Sequence, residues 1–399
     1  MRRLARYTEA MLHLRMRKKK RIAAIIDIGT SSAAVAIVQV NVGTPSTVIA
    51  FHRIFFGAGS EKKNSPESIA SLVREAGARV KAELEKKRDH AAIIPHSTYI
   101  FSRAPWSHSA THTVVDRFPE DIKITSSEID ERAEKVLAGL SENENAKLLE
   151  ASVMRIEVNG YPTPRPIGKR GHILKATILA SDVDLAFKSA VSEAVMALFP
   201  KIKPEWRTHT RAIMGLLREH PANFRDAIVA DIASEGSDFI VVKDGVIAQQ
   251  VATTECGNSI LGRIATGSMH EETLTLLRMF ERDRCATDVC NALKERMGHA
   301  EIDLVKVFGD VFAKMAASGR LPTKMLLCTI PDMAPWMSRF LSRIDFSQFT
   351  ITAQPFSISI VNPESLTQWV VAETGIVVDV SLLLACTLVH IENEAPNLK

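Results

Sequence analysis

The first part of the chain alternates apolar runs with short polar turns. Residues 22–28, 33–40 and 46–56 are rich in Ile, Val and Ala, and each run has the length of a buried strand. Between the first two runs stands the small polar turn Gly29-Thr30-Ser31-Ser32. The pattern predicts three strands joined by tight turns at the start of a sheet.

A helix is predicted next. Ser65-Pro66-Glu67 supplies a capping hydroxyl, a proline at the first helical position and an acid in the first turn. Apolar residues then recur every three or four positions up to about Lys87, at Ile69, Leu72, Val73, Ala76, Val80 and Leu84. Another strand-like run, "AAIIPHSTYIF", follows this helix.

A similar opening recurs in the second half of the chain. "VADIASEGSDFIVV" (Val229–Val242) aligns without a gap on "IIDIGTSSAAVAIV" (Ile25–Val38), which places Asp231 on Asp27. Each segment opens a strand–turn–strand–turn–strand series, and "KDG" supplies the second turn in the later copy. The repetition predicts two duplicated halves that face one cleft.

A different pattern separates the two copies. "ITSSEIDERAEKVLAGL" and "SDVDLAFKSAVSEAVMALF" have capped helical patterns, and "EASVMRIEVNGY" and "HILKATILA" have strand patterns. We therefore predict a basic tail at 1–21, a first half at 22–109, an inserted strand–helix–strand–strand unit at 110–205, and a second half at 206–399.

Charge sets the beginning of the chain apart. Residues 1–21 hold nine Lys or Arg and one Glu, a net charge of +8, whereas the whole chain carries +4 and residues 22–399 therefore carry −4. Leu4, Tyr7, Met11 and Leu14 have helical spacing, so a basic amphipathic helix is one interpretation. A disordered basic tail, and an upstream extension before a later start such as Met16, are the alternatives. Such a segment predicts contact with an anionic membrane, and no specific nucleic-acid partner is indicated.

Composition narrows the class of protein. The hydrophobic fraction is 46%, ordinary for a globular protein, and no uncharged apolar run is long enough to predict a membrane-spanning helix or a secretory signal. The five cysteines are sparse and odd in number, which favours a reducing cytoplasm.

The turn after the first strand carries the clearest chemistry. Backbone N–H groups and hydroxyls at Gly29, Thr30, Ser31 and Ser32 form a candidate anion cradle. Asp27 and Asp231, one from each half, are candidate ligands for Mg²⁺ through waters. The alternative is a polar β-turn whose aspartate caps neighbouring N–H groups.

These motifs and their order resemble the actin-like ATPase superfamily, and the insert resembles the branch that contains the cell-division protein FtsA and the type IV pilus assembly protein PilM. The resemblance implies an α/β fold with two lobes, built from duplicated ribonuclease H-like halves with an inserted α+β subdomain. It implies ATP and Mg²⁺ as cofactors, with Asp27 and Asp231 at the metal.

The resemblance also implies which residues bind nucleotide. The first phosphate loop corresponds to Asp27, Gly29, Thr30, Ser31 and Ser32, the second to Asp231, Ser237 and Asp238, the following helix start to Gly257 and Asn258, and the adenosine segment to Thr329.

Two departures from the family pattern bear on ATP. Ala233, Ser234 and Glu235 stand where the second loop usually has glycines, so Cβ atoms and an added acid hinder phosphate approach. Cys328-Thr329-Ile330-Pro331 replaces the Gly-Gly of the adenosine segment, which removes the flat backbone surface for the base. Activity is therefore predicted to be a weak ATPase at most.

The resemblance implies a cytoplasmic adaptor at the inner face of the membrane, which binds a membrane-protein partner and has the potential to self-associate. We favour the PilM type, because FtsA-like proteins carry a C-terminal amphipathic helix and "VHIENEAPNLK" is short and polar. An FtsA-like division protein, a small-molecule kinase or phosphatase, and an interaction protein without ligand are the alternatives.

Other candidate sites are weaker. His108 and His112 fall in an extended stretch, and Cys285 and Cys290 have no second cysteine pair, so neither predicts a metal site. Trp106 suits a buried domain corner better than an exposed partner anchor.

Overall fold

The computed structural model describes residues 21–56, 65–87, 93–140, 146–220, 224–265 and 270–394. In chain order the strands are β1 (Arg21–Ile28), β2 (Ser32–Val40), β3 (Ser46–Phe55), β4 (Ser97–Ser102), β5 (Ser107–Lys123), β6 (Ala146–Val158), β7 (Tyr161–Pro162), β8 (Arg170–Asp184), β9 (Glu205–Thr208), β10 (Ala227–Ile232), β11 (Ser237–Lys243), β12 (Val246–Thr253), β13 (Lys324–Thr329), β14 (Ser357–Ile360) and β15 (Val370–Ala372).

The α-helices are α1 (Pro66–Lys86), α2 (Ser126–Leu140), α3 (Leu185–Leu198), α4 (His209–Glu219), α5 (Gly257–Ile264), α6 (His270–Glu281), α7 (Thr287–Ala316), α8 (Ala334–Leu341) and α9 (Val380–Glu394). Short 3₁₀ helices cover Ile344–Phe349 and Glu364–Leu366. None of the helices in the described part of the chain has the length and apolar character needed to cross a bilayer.

Two sheets repeat one topology. The first has the order β15, β3, β2, β1, β4, β9, and the second has the order β12, β11, β10, β13, β14. In each sheet the first strand of the half pairs antiparallel with the next strand and parallel with a later one: β1 with β2 and β4, and β10 with β11 and β13. The predicted duplicated, two-lobed α/β fold is confirmed, and Asp27 and Asp231 end equivalent strands.

Helices α4 and α9 lie between the two sheets and share a core with both. The buried side chains of this core include Ile25 of β1, Val229 of β10, Leu216 of α4 and Leu384 of α9. Helix α9 is buried around most of its circumference, which explains why its sequence shows little amphipathic periodicity. Because both helices begin near the end of β1, the fold brings their N-termini to Asp27.

Helix α1 begins as predicted. The Ser65 side chain accepts a hydrogen bond from the backbone N–H of Ser68 at 3.1 Å. The helix packs on α3 through Gly77, where an added Cβ would lie 2.3 Å from a methyl carbon of Leu198. Glycine is therefore required at this crossing by close approach, not by backbone conformation.

The insert is a separate four-stranded sheet in the order β5, β8, β6, β7, with α2 packed on it. Helix α3, which the sequence groups with this unit, packs instead in the core of the first half, where Phe187 stacks on buried Trp106 at 4.5 Å between ring centroids. The domain boundaries at 110 and 205 stay predictions.

Two of the five cysteines are paired, although their sparse and odd number favours a reducing compartment. Cys285 and Cys290 form a disulfide just before and within the first turn of α7, and Cys256, Cys328 and Cys386 are free and buried.

The second half has an aromatic core. One substitution in this core and one control substitution at the surface test its packing. Phe312 is fully buried and contacts the rings of Phe239, Phe346 and Phe356. We expect Phe312→Ala to lower the free energy of unfolding by about 3–5 kcal/mol, because a large cavity is left behind. Phe55, which is 57% exposed, provides the control: Phe55→Ala should change stability little in the same urea titration. Equal losses would contradict this packing.

Candidate functional site

Asp27 is the centre of the site. It ends β1 with a fully buried carboxylate, which pairs with Arg53 of β3 and His209 of α4. Ser381 of α9 donates a hydrogen bond from Oγ to Asp27 Oδ2 at 2.7 Å. Burial alone would raise the pKa of Asp27, but His209, Arg53 and Arg103 together hold that pKa well below its usual range. The carboxylate is therefore an anion at neutral pH.

Two helix N-termini reinforce this anion. His209 is the first residue of α4, capped by Thr208, and Ser381 lies in the first turn of α9. Asp379 caps α9, since its Oδ1 accepts a hydrogen bond from the Leu382 N–H at 2.9 Å. Helix N-termini carry partial positive charge, so this arrangement favours a carboxylate at Asp27.

Arg53 connects β3 to the start of α9. Its Nε and Nη2 donate to the two carboxylate oxygens of Asp379 at 2.7 and 3.0 Å, a bidentate pair. Its Nη1 donates to Ser32 Oγ in the first loop at 3.0 Å. Burial disfavours the charged guanidinium, but Asp379 and Asp27 outweigh it and raise the pKa of Arg53. Arg53 thus contacts the first loop at Ser32 and the carboxylates of Asp27 and Asp379.

Arg103 lies between the two halves. Its Nη1 is 3.5 Å from Asp231 Oδ2, and its Nη2 is 2.9 Å from His209 Nε2 and donates to Ser381 Oγ at 2.5 Å. Burial and Arg103 lower the pKa of His209 more than Asp27 raises it, which leaves the imidazole neutral. Arg103 therefore contacts Asp231 directly and is connected to Asp27 through His209 and Ser381.

The first loop closes on itself. The Gly29 N–H donates to the Ser32 carbonyl at 2.9 Å, and an added Cβ at Gly29 would lie 2.8 Å from Ser32 Oγ. The Ser31 carbonyl accepts from the Phe56 N–H at 3.0 Å. Thr30 faces the second loop, because its Oγ1 lies 4.0 Å from the position of a Cβ on Gly236.

Backbone carbonyls of the second loop accept hydrogen bonds from N–H groups at the start of α5. The N–H groups of Gly257 and Asn258 donate to the carbonyls of Ala233 and Ser234 at 2.8 and 2.9 Å. Ile330 packs on Gly257, where an added Cβ would lie 2.9 Å from Ile330 Cδ1. The helix start and the segment that follows β13 are therefore in contact with each other.

The remaining predicted residues lie at the ends of β11 and β13. Ser237 Oγ donates to the Glu255 carbonyl at 2.6 Å, and Asp238 accepts from Gln250 Nε2 at 3.3 Å. Burial and nearby Asp231 raise the pKa of Asp238. Thr329 Oγ1 is buried and has no hydrogen-bond partner within the described structure. These contacts connect the first loop with the second loop, and the second loop with the start of α5 and the segment after β13, whereas nucleotide binding by the predicted residues stays a prediction.

Comparison with known proteins gives the fold. No family model and no curated protein matches the chain. A solved structure, the PilM–PilN type IV pilus biogenesis complex, matches it with a TM-score of 0.54 at 14% identity, over 93% of this chain and 98% of that chain. The chain has the actin-like ATPase fold.

Two further structures match with lower scores. A Bacteroides thetaiotaomicron protein with actin-like ATPase fold and unknown function has a TM-score of 0.42 at 9% identity, over 93% of this chain and 97% of that one. The ethanolamine utilization protein EutJ from Carboxydothermus hydrogenoformans has a TM-score of 0.42 at 10% identity, over 91% and 89%.

The residues of this actin-like cleft do not fit Mg²⁺ and ATP. A hydrated dication at Asp27 would have to displace the paired Arg53, His209 and Ser381 and stand beside a second cation, Arg103. The N–H groups of Gly257 and Asn258 already have partners, and Ile330 lies against the helix start. Within the described residues, no three His, Cys, Asp or Glu side chains are grouped to hold a metal ion.

Sequence reasoning missed the partners of Asp27. Arg53, Arg103 and His209 come from three separate segments, and Asp379 and Ser381 come from a fourth, and no local spacing connects the four segments. The one available signal is Arg53 itself, a charged residue inside the apolar strand "STVIAFHRIF". A charge at such a position requires a buried partner.

Removing the charge of Asp27 tests this cluster. We expect Asp27→Asn to lower the free energy of unfolding by about 3–5 kcal/mol, because the cluster loses its fully buried anion and leaves Arg53 and Arg103 with only Asp379 and Asp231 as counter-charges. Asp244→Asn is the matched control: its side chain is 64% exposed, so the loss should stay below about 1 kcal/mol. Chemical denaturation at pH 7 measures both.

Acidification tests the neutral state of His209. Because its pKa is lowered in the folded chain, the unfolded chain binds an extra proton below about pH 6.5, so stability should fall as pH drops through that value. His209→Gln keeps a donor toward Asp27 without titrating, and should reduce the slope between about pH 6 and 5 by up to 1.4 kcal/mol per pH unit. His220 and His390 have lowered pKa values too and retain part of the slope. An unchanged slope would contradict a neutral His209, and exposed His299→Gln is the control.

Proposed function

We propose that this chain is an actin-like scaffold which joins a membrane-protein partner to a larger machine and works without Mg²⁺–ATP in its cleft. The observation that carries the proposal is the pairing of Asp27 with Arg53, His209 and Ser381. These groups occupy the coordination positions that a nucleotide-bound metal would need. Hydrolysis is not expected, since no free carboxylate remains at Asp27 to position a metal or a water.

The proposed machine is a pilus-type assembly at the inner face of the cytoplasmic membrane. Its support is the nearly full-length likeness to an actin-like protein that was solved together with its partner PilN. Residues 1–20, most of the proposed anionic membrane contact, lie outside the described residues, so this contact stays a prediction. Self-association is likewise an expectation only.

The partner is proposed to dock where the insert meets the second half. A cavity of about 450 Å³ lies there, between strands β5, β6 and β8 of the insert and strand β12. Thr111 Oγ1 and Gln250 Oε1 line it as buried polar atoms without hydrogen-bond partners in the described structure, and Arg155 Nε lies there 3.0 Å from Glu157 Oε1. Buried polar groups normally have partners, so these atoms favour a polar occupant.

Nucleotide binding is tested by thermal unfolding. We expect the parent protein to show no rise in melting temperature with millimolar ATP and Mg²⁺, because a ligand stabilises a fold only if it binds the folded state. Asp27→Ala serves as the comparison, and equilibrium dialysis with labelled ATP checks for binding without stabilisation. A rise in the parent that Asp27→Ala abolishes would establish a magnesium–nucleotide site and contradict the proposal.

The docking site is tested by affinity capture from detergent-solubilised membranes of the source organism, with the full chain as bait. Thr113→Arg places a long cation in the cavity and should remove the captured membrane protein. Glu120→Arg, an exposed change on the same strand outside the cavity, should not. Pilus proteins in the captured fraction support the proposed machine, whereas division proteins favour the alternative. Unchanged capture by Thr113→Arg would overturn this docking site.

A further inference from the structure

The tip of the insert combines exposed apolar and basic side chains. It consists of residues 159–172, from the β6–β7 turn to the start of β8. Tyr161 and Ile167 are 75% and 66% exposed, and Arg165, Lys169 and Arg170 are exposed as well. The segment contains no Asp or Glu.

Turn geometry and hydrogen bonds hold the backbone of this tip in a defined conformation. Asn159 and Gly160 have φ values of 53° and 84°, as a tight hairpin turn requires. The Asn159 side chain accepts hydrogen bonds from the N–H groups of His172 and Ile173 at 3.0 Å each, which joins the turn to β8.

Hydrogen bonds also hold the backbone of the tip at Gly168 and Lys169. Gly168 N–H donates to the Ile124 carbonyl, and Ile124 N–H donates to the Lys169 carbonyl, both at 2.8 Å. Gly168 has a φ of 86°, a left-handed conformation that glycine adopts without strain. The backbone hydrogen bonds therefore hold Ile167 and Lys169 at the surface.

Two cations of the tip, Arg165 and Lys169, lack a counter-charge among the described residues. Asp121 lies 3.4 Å from His172, and its backbone carbonyl accepts from Arg170. Neither Arg165 nor Lys169 forms an ion pair with any described residue. Two unpaired cations beside a tyrosine and an isoleucine have the composition of a membrane-interface contact, where the rings and aliphatic groups enter the headgroup region.

We propose that the tip of the insert binds an anionic lipid surface. The basic side chains supply attraction to the headgroups, and Tyr161 and Ile167 insert shallowly. This contact is separate from the proposed partner cavity and from residues 1–21, and it would orient the insert toward the membrane. It deepens the proposed function by adding a lipid ligand, but its test contains no protein partner, so its failure would leave the scaffold proposal standing.

The charge arm of the test uses the full chain and vesicles made of equal parts phosphatidylserine and phosphatidylcholine. Arg165→Gln/Lys169→Gln should weaken co-sedimentation at low salt by about thirtyfold, as each basic residue contributes about fivefold. Lys203→Gln/Lys294→Gln, two exposed lysines elsewhere, should bind like the parent. Residues 1–21 are intact in every protein, so they do not account for a difference.

The insertion arm uses a fluorescent reporter. All four native tryptophans, Trp106, Trp206, Trp336 and Trp369, are buried, so an added exposed tryptophan can be followed against them. Emission of Ile167→Trp should shift to shorter wavelength with these vesicles and be quenched by brominated lipid. Ile344→Trp, at a 75% exposed control position, should not respond.

Pure phosphatidylcholine vesicles should give neither response. Equal sedimentation of the parent and Arg165→Gln/Lys169→Gln, or an Ile167→Trp emission that does not change, would overturn the proposal.

Discussion

The buried charge of Asp27 is the constraint on which the centre of this molecule depends. A carboxylate without contact to water is stable only if several groups stabilise its charge. Here the stabilising groups come from β3, from the position after β4, and from the first turns of α4 and α9. Because α4 and α9 lie between the two sheets, satisfying this one carboxylate also fixes where the central helices begin.

The same cluster of charged residues also joins the two halves of the molecule. Arg103 reaches Asp231 and Arg53 reaches Asp379, and both aspartates belong to the second half, so guanidinium groups of the first half contact carboxylates of the second. A buried ion-pair cluster adds less stability than its short distances suggest, because the charges lose their hydration. Its main effect is to specify one geometry.

The sequence predicts the periodic parts of the molecule well. Strands β1 to β3 and β10 to β12 follow from apolar runs broken by turns, and the gapless alignment of Asp27 on Asp231 correctly indicates duplication. Helix α3 shows the limit of this approach, since its amphipathic pattern predicts a helix but not that its apolar face packs on α1. The site shows the same limit: its loops are visible in the sequence, whereas Arg53, His209 and Ser381 reach Asp27 only through tertiary structure. Whether the predicted residues bind nucleotide therefore depends on contacts that local patterns do not encode.

The central claim is that Arg53 and Asp27 act as a pair in place of a bound metal. A double-mutant cycle of Asp27→Asn, Arg53→Gln and the combined variant, measured by urea unfolding without nucleotide, tests it most directly. The account predicts a coupling free energy of at least about 2 kcal/mol, because each single variant leaves the other charge of this buried pair only partly neutralised. Losses that add to within about 0.5 kcal/mol would contradict it.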